Sequence, residues 1–110
     1  MKRYALALDL VNEPARIREY EEYHKNVWPE IKKSITDSGI LSMEIYRVEN
    51  RLFMIIEAAD DFSFDRKKQL DDANPHVAEW EKLMWNFQQP LPFAKPCEKW
   101  VSMERIFSLP

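Results

Sequence analysis

The sequence predicts an α+β fold in which helices cover one face of an antiparallel sheet. Three observations support this fold class: a leucine-rich segment near the start, a helical stripe after it, and a pair of alternating or apolar segments in the middle. The predicted order is strand, helix, strand, strand, helix, strand, which is the ferredoxin-like split βαβ arrangement. The 110 residues fit a single domain over residues 1–110, since chains divide into several domains only beyond ~250 residues.

The first third of the chain is predicted to form a strand and then a helix that a proline interrupts. Residues 4–10 are leucine-rich and end before an Asn-Glu-Pro segment, which favours a buried strand. From Ala15 onward, apolar and aromatic side chains recur every three or four residues and form the stripe of an amphipathic helix. The stripe consists of Ile17, Tyr20, His24, Trp28, Ile31 and Ile35. Pro29 disfavours helical geometry at Trp28, so the helix should break and restart there, and Gly39 should follow its end.

A hairpin is predicted next. Residues 41–48 alternate, with Leu41, Met43 and Ile45 on one face, and residues 52–56 form a continuous apolar run. The turn between these two segments falls at residues 49–50.

The remaining segments predict two helices, a loop and a last strand. A short helix is expected around residues 63–70. Another helix should start with Asn74 as its cap and Pro75 at its first position. The predicted apolar stripe of that helix is His76, Trp80, Leu83 and Phe87. Residues 88–98 contain three prolines and predict a constrained loop, and the alternation of residues 99–107 predicts the last strand.

Scarce residue types exclude several classes of chemistry. The chain has one glycine, one cysteine and two histidines. Gly39 alone cannot build a glycine-rich phosphate loop, which needs several positions without a Cβ atom. Cys97 alone cannot form an internal disulfide, and three cysteines and histidines in total cannot supply a four-ligand zinc site. We therefore expect no metal, and the prediction for Cys97 is no nucleophilic role.

The charge distribution argues against nucleic acid and membrane partners. Lys and Arg total 16 against 19 Asp and Glu, without a basic block, so a phosphate backbone has no complementary surface. No segment reads as a signal peptide or a membrane span. We expect a protein of the cytoplasm.

His24 is the sharpest candidate for chemistry. It lies four residues after Tyr20 and four before Trp28, so the three side chains project from one side of the helix. An imidazole with an ordinary pKa of ~6.5 exchanges protons near neutrality and suits an acid/base role in an aromatic pocket. The alternative is a core histidine that a backbone carbonyl satisfies. Trp80 has a similar pair of interpretations, as a platform for a sugar ring or as part of the core.

Several segments resemble the L-rhamnose mutarotase family of deoxysugar mutarotases. They are residues 19–30 with the pattern H-x-x-x-W-P-E, residues 43–46, residues 52–54 and the ending 106–110. The resemblance implies a dimeric ferredoxin-like α/β barrel without a cofactor that interconverts the α and β anomers of a 6-deoxyhexose. It also implies that His24 is the proton donor and that Tyr20 is a sugar ligand.

Two positions differ from the rhamnose enzymes of that family. Met43 stands where those enzymes have a sugar-contacting tyrosine, and Trp80-Glu81 stands in place of a Trp-Trp pair. The chain looks more like the branch assigned to L-fucose, so L-fucose is the expected substrate and L-rhamnose the alternative. The expected site has His24 as the catalytic residue, with no cofactor and no metal. The substrate-binding residues are expected to be Tyr20, Trp28, Met43, Trp80 and Glu81.

The hypothesis for the reaction is acid/base ring opening and closure. His24 protonates the ring oxygen, Tyr20 and Trp80 position the sugar, and Glu81, Glu30 or a water takes the second proton. A homodimer is expected, because a second subunit would cover the free face of the sheet. Two other functions fit the same fold: a cofactor-independent monooxygenase and a non-catalytic ligand-binding module.

Overall fold

A computed structural model describes residues 1–96 and 98–110. The elements follow one another as β1 (Lys2–Leu10), α1 (Pro14–Lys25), α2 (Pro29–Asp37), β2 (Ile40–Val48), β3 (Arg51–Ala58), α3 (Phe64–Asp72), α4 (Pro75–Met84), β4 (Gln88–Gln89) and β5 (Val101–Ser102). Cys97, for which no nucleophilic role was expected, lies outside the described residues.

The strands form one antiparallel sheet in the order β2-β3-β1-β4, and β5 also pairs with β1. This is the split βαβ topology, and the predicted ferredoxin-like fold class is confirmed. The sheet of this single chain is open and does not close on itself into a barrel.

The predicted last strand is wrong in its extent. Residues 99–107 alternate, yet only Val101–Ser102 form a strand, while Gln88–Gln89 in the predicted loop form another. Both short strands pair with the same edge of β1, at Asp9–Leu10 and at Leu6–Ala7. An alternating segment becomes a strand only where a neighbouring backbone accepts its hydrogen bonds. After the Met103 amide donates to the Ala5 carbonyl at 2.7 Å, the pairing of the described residues ends.

The predicted buried face of β2 is wrong at Leu41, because a β-bulge interrupts the alternation there. Ile40 pairs with Ala58 and Ser42 pairs with Glu57, so Leu41 is an extra residue in the ladder. Because side chains alternate along a strand, one extra residue exchanges the faces on either side of it. Leu41 is consequently 63% exposed, and Ile40 is buried in its place.

The local signals at helix ends act as predicted. Trp28 precedes the first residue of α2, Pro29, and the two helices are separate. Gly39 follows the end of α2 with φ of +99°, a conformation that side chains with a Cβ rarely adopt. The Asn74 side chain accepts hydrogen bonds from the amides of His76 and Val77 at the start of α4.

The buried stripe of α4 differs from the predicted one. Val77, Trp80 and Met84 are buried, whereas His76 is exposed. Phe87 is buried after the helix has ended. The period of an α-helix accommodates either Val77 or His76 beside Trp80, and the larger gain from burying an apolar side chain selects Val77.

The core lies between the helices and the sheet in two clusters. One cluster joins the first and last thirds of the chain through Leu10, Tyr20, Ile31, Trp80 and Phe87. The second contains Leu6, Ile40, Ile56 and Phe62, among others. In the described part of the chain, no helix has the length and apolar character that would let it cross a membrane.

The face of the sheet opposite the helices is partly apolar and open. Strand pairing aligns Ala7, Phe53 and Tyr46 in one row on this face. At one edge of this face, Arg51 donates two hydrogen bonds, of 2.8 and 3.2 Å, to the buried carboxylate of Asp9. In the last segment, Ile106, Phe107 and Leu109 are more than three-quarters exposed.

Candidate active site

His24 lies in the last turn of α1, where one of its two ring nitrogens is already bonded. Nδ1 is 2.8 Å from the backbone oxygen of Tyr20. A carbonyl only accepts hydrogen bonds, so Nδ1 carries the proton and Nε2 of the neutral ring holds the free lone pair. This is the backbone-satisfied histidine considered from the sequence, and it still leaves one nitrogen for chemistry.

Burial sets the charge of His24. The side chain is half-buried, and its burial lowers the pKa from 6.5, while the bond to the Tyr20 carbonyl raises the pKa in partial compensation. The imidazole is therefore predominantly neutral at pH 7. A neutral ring with its hydrogen on Nδ1 acts first as a base through Nε2.

Aromatic rings surround this imidazole. The Tyr20 ring centroid lies 4.3 Å from that of His24, and the Trp80 ring lies 5.7 Å away in an edge-on arrangement. Trp28 contacts Trp80 in turn, with centroids 5.0 Å apart. The structure thus brings together four of the six predicted site residues in one aromatic cluster. Trp80 is only 7% exposed, so most of its indole serves the core.

A cavity of about 430 Å³ opens beside His24, a size typical of sites for small molecules. Its lining comprises Tyr20, Glu21, His24, Lys25, Ile45, Tyr46, Arg47 and Leu52. Ile45 and Leu52 provide apolar surface, and Arg47 is ion-paired with Glu21. The cavity therefore combines a proton-transfer group, an apolar wall and charged hydrogen-bonding groups.

Sequence reasoning missed most of this lining. Arg47 and Leu52 come from neighbouring strands, whereas Tyr20 and His24 come from α1, and the strand pattern does not indicate which helix packs above it. The pairing of Arg47 with Leu52 in the hairpin is the one signal that places those two residues side by side.

Of the six predicted site residues, Tyr20 and His24 line this cavity, and the other four do not. Trp28 lines a second cavity, of about 770 Å³, together with Arg18, Glu22 and Tyr23. Met43 is half-buried and packs against the second core cluster. Glu81 is exposed and ion-paired with Lys99, whose ammonium lies 4.5 Å from the centre of the Trp85 ring.

Tyr20 is a buried phenol that remains protonated. Burial raises its pKa to about 12, and the polar side chain of Gln88 opposes part of this shift. A phenol of this kind donates and accepts hydrogen bonds without ionising near neutral pH. Gln88 was not singled out from the sequence, because it stands in a segment that reads as a loop.

Potential metal ligands do not gather in the described residues. Across residues 1–96 and 98–110, no group of three or more histidine, cysteine, aspartate or glutamate side chains has the arrangement of a cation site.

Comparison with known proteins adds independent information. A family model described as L-rhamnose mutarotase matches residues 3–109. An L-fucose mutarotase of Xanthomonas campestris pv. campestris is 40% identical over 99% of this chain and 89% of its own length. An L-rhamnose mutarotase of Phocaeicola vulgatus is 33% identical over 87% of this chain and 88% of its own. A crystal structure of an L-rhamnose mutarotase from Formosa agariphila superposes with a TM-score of 0.74 at 22% identity, covering both chains completely.

Proposed function

The chain belongs to the L-rhamnose mutarotase family, and on this premise we propose that it interconverts the α and β anomers of a 6-deoxyhexose, with L-fucose as the substrate. The higher identity to the L-fucose mutarotase, 40% against 33% for the L-rhamnose enzyme, supports the choice of sugar. Residues 1–110 act in this proposal as a single mutarotase-like domain.

The observation that carries the proposal is the state of His24 beside the cavity. Mutarotation moves one proton from the anomeric hydroxyl oxygen, O1, to the ring oxygen, O5. The C1–O5 bond breaks as the C1–O1 double bond forms. Both oxygens are bonded to C1, so one nitrogen can serve both of them. Nε2 of His24 takes the proton from O1 and gives it to O5, and the reverse steps close the ring on the other face.

This route modifies the role inferred from the sequence. His24 still donates the proton to the ring oxygen, but it first acquires that proton from the substrate, because the imidazole is neutral. No second side chain is needed. The two carboxylates considered from the sequence have other surroundings: Glu81 is paired with Lys99, and Glu30 is exposed in the first turn of α2. A positioned acid/base group of this kind supplies about 10²- to 10⁴-fold acceleration.

Neighbouring residues support sugar binding in the same cavity. The apolar surface of Ile45 and Leu52 suits the methyl group of a 6-deoxyhexose, and Glu21 and Arg47 offer an acceptor and a donor for hydroxyls. Tyr20 provides a further hydroxyl beside His24. Trp80 packs edge-on against the imidazole, and Trp28 packs against Trp80. Met43 and Glu81 remain proposed substrate contacts, although neither lines this cavity.

The test is anomer exchange followed by saturation-transfer NMR on L-fucose, L-rhamnose and D-galactose. The proposal predicts exchange above the rate in buffer, fastest for L-fucose. Exchange fastest for L-rhamnose would reassign the substrate within the family. Exchange at the buffer rate for all three sugars would contradict the activity and favour a ligand-binding module, or an oxygenase if a phenolic substrate consumes oxygen.

We also propose a homodimer in which the open sheet faces of two copies pack together. The row formed by Ala7, Phe53 and Tyr46 offers apolar surface of the kind that packed sheets bury. Phe53→Lys should give a monomer in sedimentation velocity, while Leu70→Lys on the exposed side of α3 should not change the mass. A monomeric parent protein would contradict the dimer.

The remaining partners follow from composition. The substrate is a small monosaccharide, and neither nucleic acid nor membrane is proposed as a partner. A cytoplasmic location is proposed because a lone cysteine suits a reducing compartment.

A further inference from the structure

Arg47, on the wall of the cavity beside His24, is held by two acceptors from different parts of the chain. Its Nε atom donates to the carboxylate of Glu21 on α1, and its Nη1 atom donates to the backbone oxygen of Glu49 at 2.7 Å. Arg47 itself lies on β2, so a helix, a strand and a turn fix one side chain. A guanidinium is planar, and bonds at two of its three nitrogens determine where the third one points.

The turn that supplies the second acceptor has an uncommon backbone. Glu49 has a φ of +52°, and in the part of the chain that the structure describes it is the only residue besides glycine with a positive φ. Short hairpin turns favour glycine, asparagine or aspartate at such positions. A glutamate is held there only where its surroundings compensate for the strain, and residues of this kind cluster at binding sites. The bond from Arg47 to the Glu49 carbonyl is such a compensating contact.

The third nitrogen of Arg47, Nη2, takes part in neither bond and is available to a ligand. Arginine carries N–H donors and no acceptor, so Nη2 can only donate. The side chains of Arg47 and Glu21 are 37% and 47% exposed, and an ion pair with this exposure contributes little to the stability of the fold. Because Glu21 already neutralises the guanidinium, a neutral hydroxyl suits the remaining N–H groups better than a second anion.

The charged pair lies one helical turn from the proposed proton carrier. Glu21 and His24 are three residues apart on α1, a spacing that makes their side chains neighbours, with Cβ atoms about 5–6 Å apart. A pyranose ring that presents O1 and O5 to His24 has C3 and C4 at its opposite edge, at a comparable distance. Arg47 is therefore placed to contact the hydroxyls of that edge.

We propose that Arg47 determines the sugar specificity by donating from Nη2 to the hydroxyl on C4 of the bound 6-deoxyhexose. This hydroxyl is axial in L-fucose and equatorial in L-rhamnose, so a donor with a fixed direction serves only one of the two sugars. Glu21 is a positioning residue in this proposal, because its carboxylate holds the guanidinium. The inference rests on the proposed mutarotase function and deepens it from a class of sugars to the configuration at one carbon.

The experiment compares L-fucose with its 4-deoxy analogue, which lacks only the hydroxyl in question, by anomer exchange in saturation-transfer NMR. The parent protein should have a kcat/KM about 10- to 100-fold higher for L-fucose, the size of a hydrogen bond to a charged group. In Arg47→Met the value for L-fucose should fall to that of the analogue, and the value for the analogue should stay at the parent level. Glu21→Gln should lose part of the preference, because the guanidinium is less well fixed.

Matched variants separate sugar recognition from folding. Arg18→Met removes an exposed arginine of α1 that lines the second cavity, and it should keep the parent preference. Arg47→Lys keeps the charge and the stem of the side chain without the planar donor group, so it should also lose the preference, and it replaces Arg47→Met if the latter does not fold. Equal losses for both sugars in these variants would overturn the inference, as would a parent protein that exchanges both sugars equally fast. A parent protein that exchanges neither sugar would contradict the proposed function, and the inference with it.

Discussion

The pH dependence of anomer exchange follows from the neutral state of His24. Because burial lowers the pKa from 6.5, the active neutral imidazole persists below the pH at which an exposed histidine becomes charged. Catalysed exchange should reach a plateau on the alkaline side of neutrality and should fall as the pH drops through the lowered pKa. Each further pH unit below that pKa costs about tenfold.

The size of the activity loss at low pH measures how far the pKa of His24 lies below 6.5. At roughly pH 4.5, a histidine with the ordinary pKa would lose about 100-fold of its activity, and His24 should lose less. The assay is saturation-transfer NMR with L-fucose, with the exchange in buffer subtracted at each pH. His76→Asn, at the exposed histidine, should leave the profile unchanged. Exchange that rises as the pH falls through the same range would show that the imidazolium is the active form and would refute the reasoning.

The lowered pKa of His24 also makes the stability of the fold depend on pH. As the pH falls, His24 takes up a proton in the unfolded chain at a higher pH than in the folded chain. The contribution of His24 to stability is therefore fully present above pH 6.5 and is lost as the pH falls through the lowered pKa. Circular dichroism at each pH therefore separates loss of activity from loss of fold.

Three substitutions test the account of the fold and the surface, each by chemical denaturation. Asn74→Ala removes the cap that accepts from the amides of His76 and Val77, and it should lower the free energy of unfolding by about 1 kcal/mol; no change would show that the cap is not needed. Gly39→Ala should lower the free energy of unfolding by about 1–2 kcal/mol, because alanine disfavours the backbone φ of +99°. The added Cβ itself has room, since its nearest atom would be 3.5 Å away. A stabilised variant would contradict this. Lys99→Met removes the ion pair with Glu81 and the contact over Trp85, and it should cost about 1 kcal/mol or less because Glu81 is half-exposed; a larger loss would show that Lys99 secures the last segment to α4.

Local signals account for what the sequence could predict. The break before Pro29 and the cap at Asn74 depend on residues within one helical turn, and the structure confirms both. The placement of Tyr20 beside His24 also follows from helical spacing. These features need no knowledge of distant partners. The predicted place of Trp28 on the same helix face is wrong, because α1 ends at Lys25, and Trp28 joins the cluster through Trp80.

Long-range pairing explains what was missed. The bulge at Leu41 exists only relative to β3, and the split last strand depends on which part of the β1 edge is free. The cavity wall formed by Ile45 and Leu52 depends on where α1 crosses the sheet. Sequence periodicity describes each element separately and does not specify these relations.

The central claim is that His24 carries the proton between the two oxygens of the anomeric carbon. The most direct measurement is the rate of L-fucose anomer exchange for the parent protein, His24→Asn and the control His76→Asn, each shown to be folded by circular dichroism. The account predicts catalysed exchange in the parent protein and His76→Asn and the rate in buffer for His24→Asn. Exchange in His24→Asn at the parent rate would contradict it.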